Sequence, residues 1–131
     1  MSRLHKKVAN QRSDFHWKIS HQLVGEYALI CIEDLNLKAM QKRYGRKISD
    51  LGFADFVGKL KYMAQKTGST VVEAYRFFPS SQLCSVCGHK YLGTKELGIR
   101  NWICPNCGSR HERDRNAAIN IEREGRRIFF A

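Results

Sequence analysis

Cys84-Ser-Val-Cys87 and Cys104-Pro-Asn-Cys107 form two C-x-x-C pairs sixteen residues apart, the spacing of a zinc ribbon. Each pair is short enough for the backbone to curl around one ion and present two sulfurs to it. Gly88 and Gly108, one residue past each pair, permit the left-handed backbone that such knuckles use. Four thiolates close a tetrahedral site and leave no open position for water, so Zn2+ bound here would hold the fold and would not act on a substrate. Two other uses of paired cysteines fit less well. Disulfides are rare in the reducing compartment to which a basic chain without a secretory signal points, and a redox C-x-x-C does not require a second matched pair. His89 and His111 lie beside the pairs as possible replacement ligands, but four thiols already fill a tetrahedron.

Carboxylates at two places could also do chemistry. Tyr27-Ala-Leu-Ile-Cys-Ile32 reads as a short, wholly apolar strand buried on both faces, with Cys31 a small core residue rather than a ligand or nucleophile. Glu33 and Asp34 follow where the chain leaves this strand. Sites in open α/β sheets lie at the carboxyl ends of strands, which makes an acid here a catalytic candidate. Position alone leaves the pair equally readable as an ordinary strand end, with Asp34 starting a turn. Asp114, flanked by Arg113 and Arg115, opens a helix beyond the second cysteine pair, as its cap or in its first turn. The helix dipole and free amides would keep this carboxylate ionised, and capping alone would explain its presence.

The elements that must position these groups follow from periodicity. Leu4, Val8, Phe15, Ile19 and Leu23 share one face of an amphipathic helix that Gly25 would end. After the first strand, residues 37–48 are basic and contain glycine, the composition of a mobile surface loop. Ser49 or Asp50 can cap a helix bearing Leu51, Phe53, Phe56, Val57, Leu60 and Met63, which Gly68 ends. Thr70 to Tyr75 forms a second strand, so strand, helix and strand make a βαβ unit with parallel strands and a right-handed crossover. The closing helix, from His111, carries a small apolar face of Ala117, Ala118 and Ile121.

The chain has 131 residues, 43% of them hydrophobic, which suits one domain or a small domain with a metal-stapled insertion. It contains no apolar run of about 18 residues and no secretory signal, so the expected location is the cytoplasm, with no membrane partner. Twenty-three Lys and Arg against twelve Asp and Glu give a net charge of +11. Four thiolates around one Zn2+ would reduce it to about +9, still strongly basic. Lys38, Lys42, Arg43, Arg46 and Lys47 lie between Asp34 and Asp50 without an acid among them, and Arg3, Lys6, Lys7 and Arg12 crowd the first twelve residues. One such run is by default a solvated surface. Two beside a zinc ribbon point to a nucleic-acid partner held through its phosphates.

Four motifs, taken in order, resemble a known family. They are Ile32-Glu-Asp-Leu-Asn-Leu-Lys-Ala-Met40, Arg76-Phe-Phe-Pro-Ser-Ser-Gln-Leu-Cys-Ser-Val-Cys-Gly88, Cys104-Pro-Asn-Cys-Gly108 and Arg113-Asp-Arg-Asn-Ala-Ala-Ile-Asn-Ile121. Their order and spacing are similar to those of the TnpB (OrfB) family of transposon-encoded nucleases over essentially the whole chain. The resemblance implies an RNA-guided DNA endonuclease with a RuvC-like, RNase H-type domain, related to the type V CRISPR effectors. In that family three acids bind two divalent metals, Mg2+ or Mn2+. Glu33 matches the second acid and Asp114 the third.

The first acid of the family, on an early strand in a Gly-rich motif, has no counterpart here. Nor do the family's first three strands or its N-terminal guide- and target-binding domains. The fold expected is therefore α/β: a partial RNase H-like (RuvC) domain, helix-strand-helix-strand and then a C-terminal helix, with an inserted four-cysteine zinc ribbon. Residues 1–79 and 111–131 would belong to the nuclease domain and 80–110 to the ribbon. Two strands alone cannot cover themselves, which implies that an N-terminal nuclease portion or a full-length relative completes the sheet. Guide RNA and target DNA are the other implied partners, with Arg3, Lys6, Lys7, Lys38, Lys42, Arg43, Arg46 and Lys47 as candidate contacts. The expected function is that of a C-terminal fragment or subunit, with two of three acids and negligible cleavage alone. The second reading is a non-catalytic zinc-ribbon module that binds nucleic acid and assists or modulates a full-length relative.

Overall fold

The Ser2 hydroxyl accepts a hydrogen bond from the His5 amide at 3.3 Å and starts α1 (Arg3–Glu26) in the computed structural model, which describes residues 2–45, 52–96 and 98–131. Gly25 does not end this helix. It keeps helical backbone, and the chain turns extended only at Tyr27, whose amide still bonds to the Leu23 carbonyl. A glycine near a helix end weakens the helix but does not by itself stop it.

The buried face of α1 is His16, Ser20 and Val24, not the apolar stripe read from the sequence: Leu4, Val8 and Phe15 are 66%, 52% and 61% exposed. The reason lies in the partner helix. Helix α3 (Phe53–Thr67) packs along α1, where it buries Lys59, Leu60 and Ala64. Phe56 lies 5.4 Å from the His16 ring, and the Lys59 ammonium reaches both the Asp55 carboxylate and the face of Trp17.

Strand β1 (Leu29–Glu33) pairs with β2 (Thr70–Ala74) in a two-stranded sheet. The turn before β2 is tied down by the Ser69 hydroxyl, which donates to the Val24 and Tyr27 carbonyls. Residues 29–32 of β1 are half-buried, not wholly buried as the apolar run predicts, because a two-stranded sheet gives each strand one neighbour.

Residues 37–44, predicted as a mobile loop, instead form helix α2 (Leu37–Tyr44). Asn36 caps it by accepting from the Ala39 amide, Lys42 and Arg43 complement the dipole in its last turn, and Gly45 leaves it with φ +62°. The predicted caps Ser49 and Asp50, together with Leu51, lie outside the described residues. Gly52 precedes α3, and Gly68 ends it in left-handed conformation, as expected.

The second half of the chain is built from short pieces. A one-turn 3-10 helix (Leu92–Lys95) precedes β3 (Asn101–Ile103) and β4 (Arg110–Glu112), which pair antiparallel with Trp102 opposite His111. Helix α4 (Arg113–Phe129) follows directly. Its buried positions are Asn116, Asn120 and Gly125, whereas Ala118 of the predicted apolar face is exposed. Gly125 is fitted against β1: a Cβ there would stand 2.6 Å from the Cys31 Cβ. The chain divides into two compact units, Met1–Ile30 with Leu35–Val71 and Cys31–Asp34 with Val72–Ala131. Among the described residues, no helix is long and apolar enough to cross a membrane.

Candidate metal centre and carboxylate site

The two cysteine pairs fold into matching knuckles. Gly88 donates its amide to the Cys84 carbonyl at 2.8 Å, and Gly108 does the same to Cys104. Cys84 and Cys104 in turn donate to the carbonyls of His89 and Ser109, both at 2.9 Å. Gly88 and Gly108 have φ of +80° and +76°, conformations that a side chain would strain. All four sulfurs lie within 4.8 Å of one another, with Cys84 and Cys107 3.6 Å apart and Cys87 and Cys104 3.7 Å apart. These distances are far too long for disulfide bonds. A tetrahedral thiolate site with metal–sulfur bonds of about 2.3 Å sets its sulfurs roughly 3.8 Å apart, so the four cysteines fit one metal ion.

The four thiols are not equivalent. Burial pushes the Cys84 thiol up to about 11. The Ser109 hydroxyl beside exposed Cys107 holds that thiol down at about 6, and the Asn106 amide lowers Cys87. His111 takes the role of a partner to the cluster. Its Nε2 lies 3.0 Å from the Cys84 sulfur, while its ring packs 4.7 Å from Trp102, which stacks on Tyr91. His89 is exposed and contributes its carbonyl.

Glu33 ends β1 with its carboxylate exposed and accepts a hydrogen bond from the Ser80 hydroxyl at 3.5 Å. Neighbouring Asp34 is engaged differently, in an ion pair with Arg76 at 3.2 Å. Asp114 stands exposed in the first turn of α4. It is not the cap: Glu112 takes that place, accepting from the amides of Asp114 at 3.2 Å and Arg115 at 2.8 Å.

A polar clamp that hydrophobic periodicity does not predict fastens α4 to residues 80–85. Asn120 donates to the carbonyls of Ser80 and Leu83, Asn116 donates to Leu83 and accepts from the Ser85 amide, and Arg123 reaches the Ser85 carbonyl. The signal for it was present, as asparagines four apart on a helix whose neighbours are alanine and isoleucine. Among the described residues, a group of three or more metal-ligating side chains occurs only at the cysteines. Of the predicted basic contacts, Arg3, Lys6 and Lys7 are exposed on the first turns of α1, and Lys38, Lys42 and Arg43 on α2. Arg46 and Lys47 lie outside the described residues.

Comparison with known proteins gives this arrangement a class. Residues 53–121 match the family model described as Cas12f1-like, TNB domain, and residues 1–44 match the OrfB_IS605 model described as probable transposase. A putative RNA-guided DNA endonuclease of Streptomyces pristinaespiralis is 38% identical over 92% of this chain and 30% of its own length. A TnpB-like protein of Acanthamoeba polyphaga mimivirus is 32% identical over 99% of this chain and 26% of its own. The fold is similar to a chain in the cryo-EM structure of a Cas12f1-sgRNA-target DNA complex, with a TM-score of 0.68 at 18% identity, covering 90% of this chain and 35% of that one. The chain belongs to the TnpB/OrfB family and carries its Cas12f1-like TNB domain. It spans about a third or less of the length of these relatives.

Proposed function

We propose that this chain supplies the C-terminal share of an RNA-guided DNA endonuclease in the cytoplasm. Residues 1–79 and 111–131 form part of a RuvC-like, RNase H-type domain, and residues 80–110 form an inserted ribbon. Zn2+ is the ion for the four cysteines, since an all-thiolate tetrahedral donor set suits it and leaves no catalytic position open. Glu33 and Asp114 are two of the three acids of the nuclease site.

One observation carries the reading. Glu33 accepts from the Ser80 hydroxyl, the Ser80 carbonyl accepts from Asn120, and Asn120 lies on the helix that Asp114 opens, so Glu33 is bonded through Ser80 to the element that carries Asp114, within one unit. Ser80 orients the Glu33 carboxylate, and Glu112, by capping α4, fixes the backbone from which Asp114 projects. Two Mg2+ or Mn2+ ions bound there would supply activation of water and stabilisation of the leaving oxygen of a phosphodiester. Two carboxylates are too few for two dications, so the chain alone cuts negligibly. An N-terminal portion or a full-length relative provides the third acid and the remaining strands, and the exposed basic residues of α1 and α2 meet the phosphates of guide RNA and target DNA.

The test is cleavage of guide-matched duplex DNA by the chain alone and after mixing with an N-terminal portion of a relative. Cleavage is expected only in the mixture. Asp114→Ala is expected to abolish it, by a factor of about 100 or more, while zinc content and RNA binding stay near those of the parent. Undiminished cleavage by the Asp114→Ala mixture removes Asp114 from the site and leaves it a first-turn residue. The exposed basic residues Arg3, Lys6 and Lys7 on α1 and Lys38 and Lys42 on α2 also fit one other reading, a non-catalytic module that binds nucleic acid and modulates a full-length relative. Guide RNA binding without cleavage in any mixture, together with an altered rate for the full-length relative, would select it.

A further inference from the structure

We propose that Asn116 is a positioning residue that couples the metal knuckle to Asp114, an inference that rests on the reading of Asp114 as a metal-binding carboxylate. Asn116 is 2% exposed and uses both ends of its amide. Its Oδ1 accepts from the Ser85 amide at 2.9 Å and its Nδ2 donates to the Leu83 carbonyl at 2.7 Å. Those two backbone groups flank Cys84, the most buried residue of the first knuckle, so α4 is fastened to the peptide groups on either side of a metal ligand.

A second tether runs from the other side. His111, three residues before Asp114, places its Nε2 3.0 Å from the Cys84 sulfur, and Glu112 next to it caps the Asp114 amide. Asp114 therefore sits between two attachments to the same cysteine, one three residues before it and one two residues after. The first turn of a helix has unpaired amides and frays readily, and a carboxylate placed there is only as well positioned as that turn. Metal bound to Cys84 would make the turn rigid through Asn116, and the site for one ion would set the geometry of the site for others. The side-chain amide offers the donor and the acceptor together. Alanine removes both, whereas aspartate keeps the acceptor for Ser85 and leaves Leu83 to Asn120.

The experiment uses the zinc-loaded 131-residue chain, its Asn116→Ala variant and its Asn116→Asp variant, with three readouts: zinc content, hydrogen exchange at individual amides, and paramagnetic broadening of Asp114 by Mn2+. In the parent, chelation of zinc should speed exchange at Gly88, Gly108 and residues 115–118 together. In Asn116→Ala, zinc and the slow exchange of Gly88 and Gly108 should persist while residues 115–118 exchange roughly tenfold faster. The Mn2+ concentration for half-broadening of Asp114 should rise several-fold, and Asn116→Asp should fall between the two. Unchanged exchange at residues 115–118 in both variants overturns the proposal. So does a uniform rise across the unit with loss of zinc, since Asn116 would then only support the fold. If Mn2+ fails to broaden Asp114 both in the parent and in its mixture with an N-terminal portion of a relative while the exchange pattern holds, the nuclease reading falls and the tether stands.

Discussion

The paired helices α1 and α3 and the cysteine-bearing unit are held together by different physics. In the first, Val24, Leu60 and Ala64 are buried, and at the seam of the two long helices His16 and Lys59 both reach Asp55, while the buried Ser20 hydroxyl makes no hydrogen bond among the described residues. In the second, the buried cluster is Cys84, Trp102 and Cys104, with Tyr91 and Ile99 packed against it, and the remaining order comes from asparagine side chains bonded to backbone. An apolar cluster that small does not hold a fold by itself. If the four cysteines hold the metal ion they fit, helix packing supports one unit and the ion the other, and the two should fail under different insults.

Removing the ion tests this contrast most severely. Cys84→Ser, or treatment with a strong chelator, should release zinc and unfold the ribbon, because structural zinc contributes about 10 kcal/mol or more to folding. Metal analysis together with amide exchange at Gly88 and Gly108 reads the loss, and helix α3 should keep its protection. The converse perturbation is Leu60→Ala. Leu60 is 1% exposed, and its truncation should cost the α1–α3 pair about 2–5 kcal/mol in urea denaturation, with the zinc equivalent retained. Zinc loss in that variant would erase the distinction between the units.

A smaller effect sharpens the contrast through pH. The Lys59 ammonium, helped by His16, holds the Asp55 carboxyl below its usual range. A carboxyl lowered in the folded state contributes stability above its unfolded value, and that contribution is lost as pH falls through the folded value. The helix pair should therefore be level in stability above about pH 5 and weaken below about pH 4. Asp55 is more than half exposed, so solvent screens the pair and the slope should be shallow. Asp55→Asn should remove this slope, read from Trp17 fluorescence in a Trp102→Phe background.

What could be read from the sequence divides along the same line. The knuckles are legible because their geometry is local: four residues and a glycine determine each one, and Gly88 and Gly108 adopt the backbone expected of them. Gly68 is legible for the same reason. The positions of Glu33 at a strand end and Asp114 in the first turn of a helix also follow from local pattern. The buried face of α1 does not, since α3 selects His16, Ser20 and Val24 over a more apolar stripe, and periodicity cannot say which stretch of a long helix finds a partner. Helix α2 was hidden by its composition: basic residues and Gly45 suggest a loop, although Asn36 and Gly45 are a cap at each end. Asn116 and Asn120 escaped because an apolarity rule assigns asparagine to the surface, whereas here each meets backbone groups left open by the irregular segment 80–85.

Gly125 and Cys31 lie far apart in the chain but share one volume, since a methyl group at 125 would collide with the cysteine side chain. In evolutionary terms the two positions form a single exchangeable unit. A lineage can place alanine at 125 only after giving up bulk at 31, and sequences descended from this one should vary at these sites jointly or not at all.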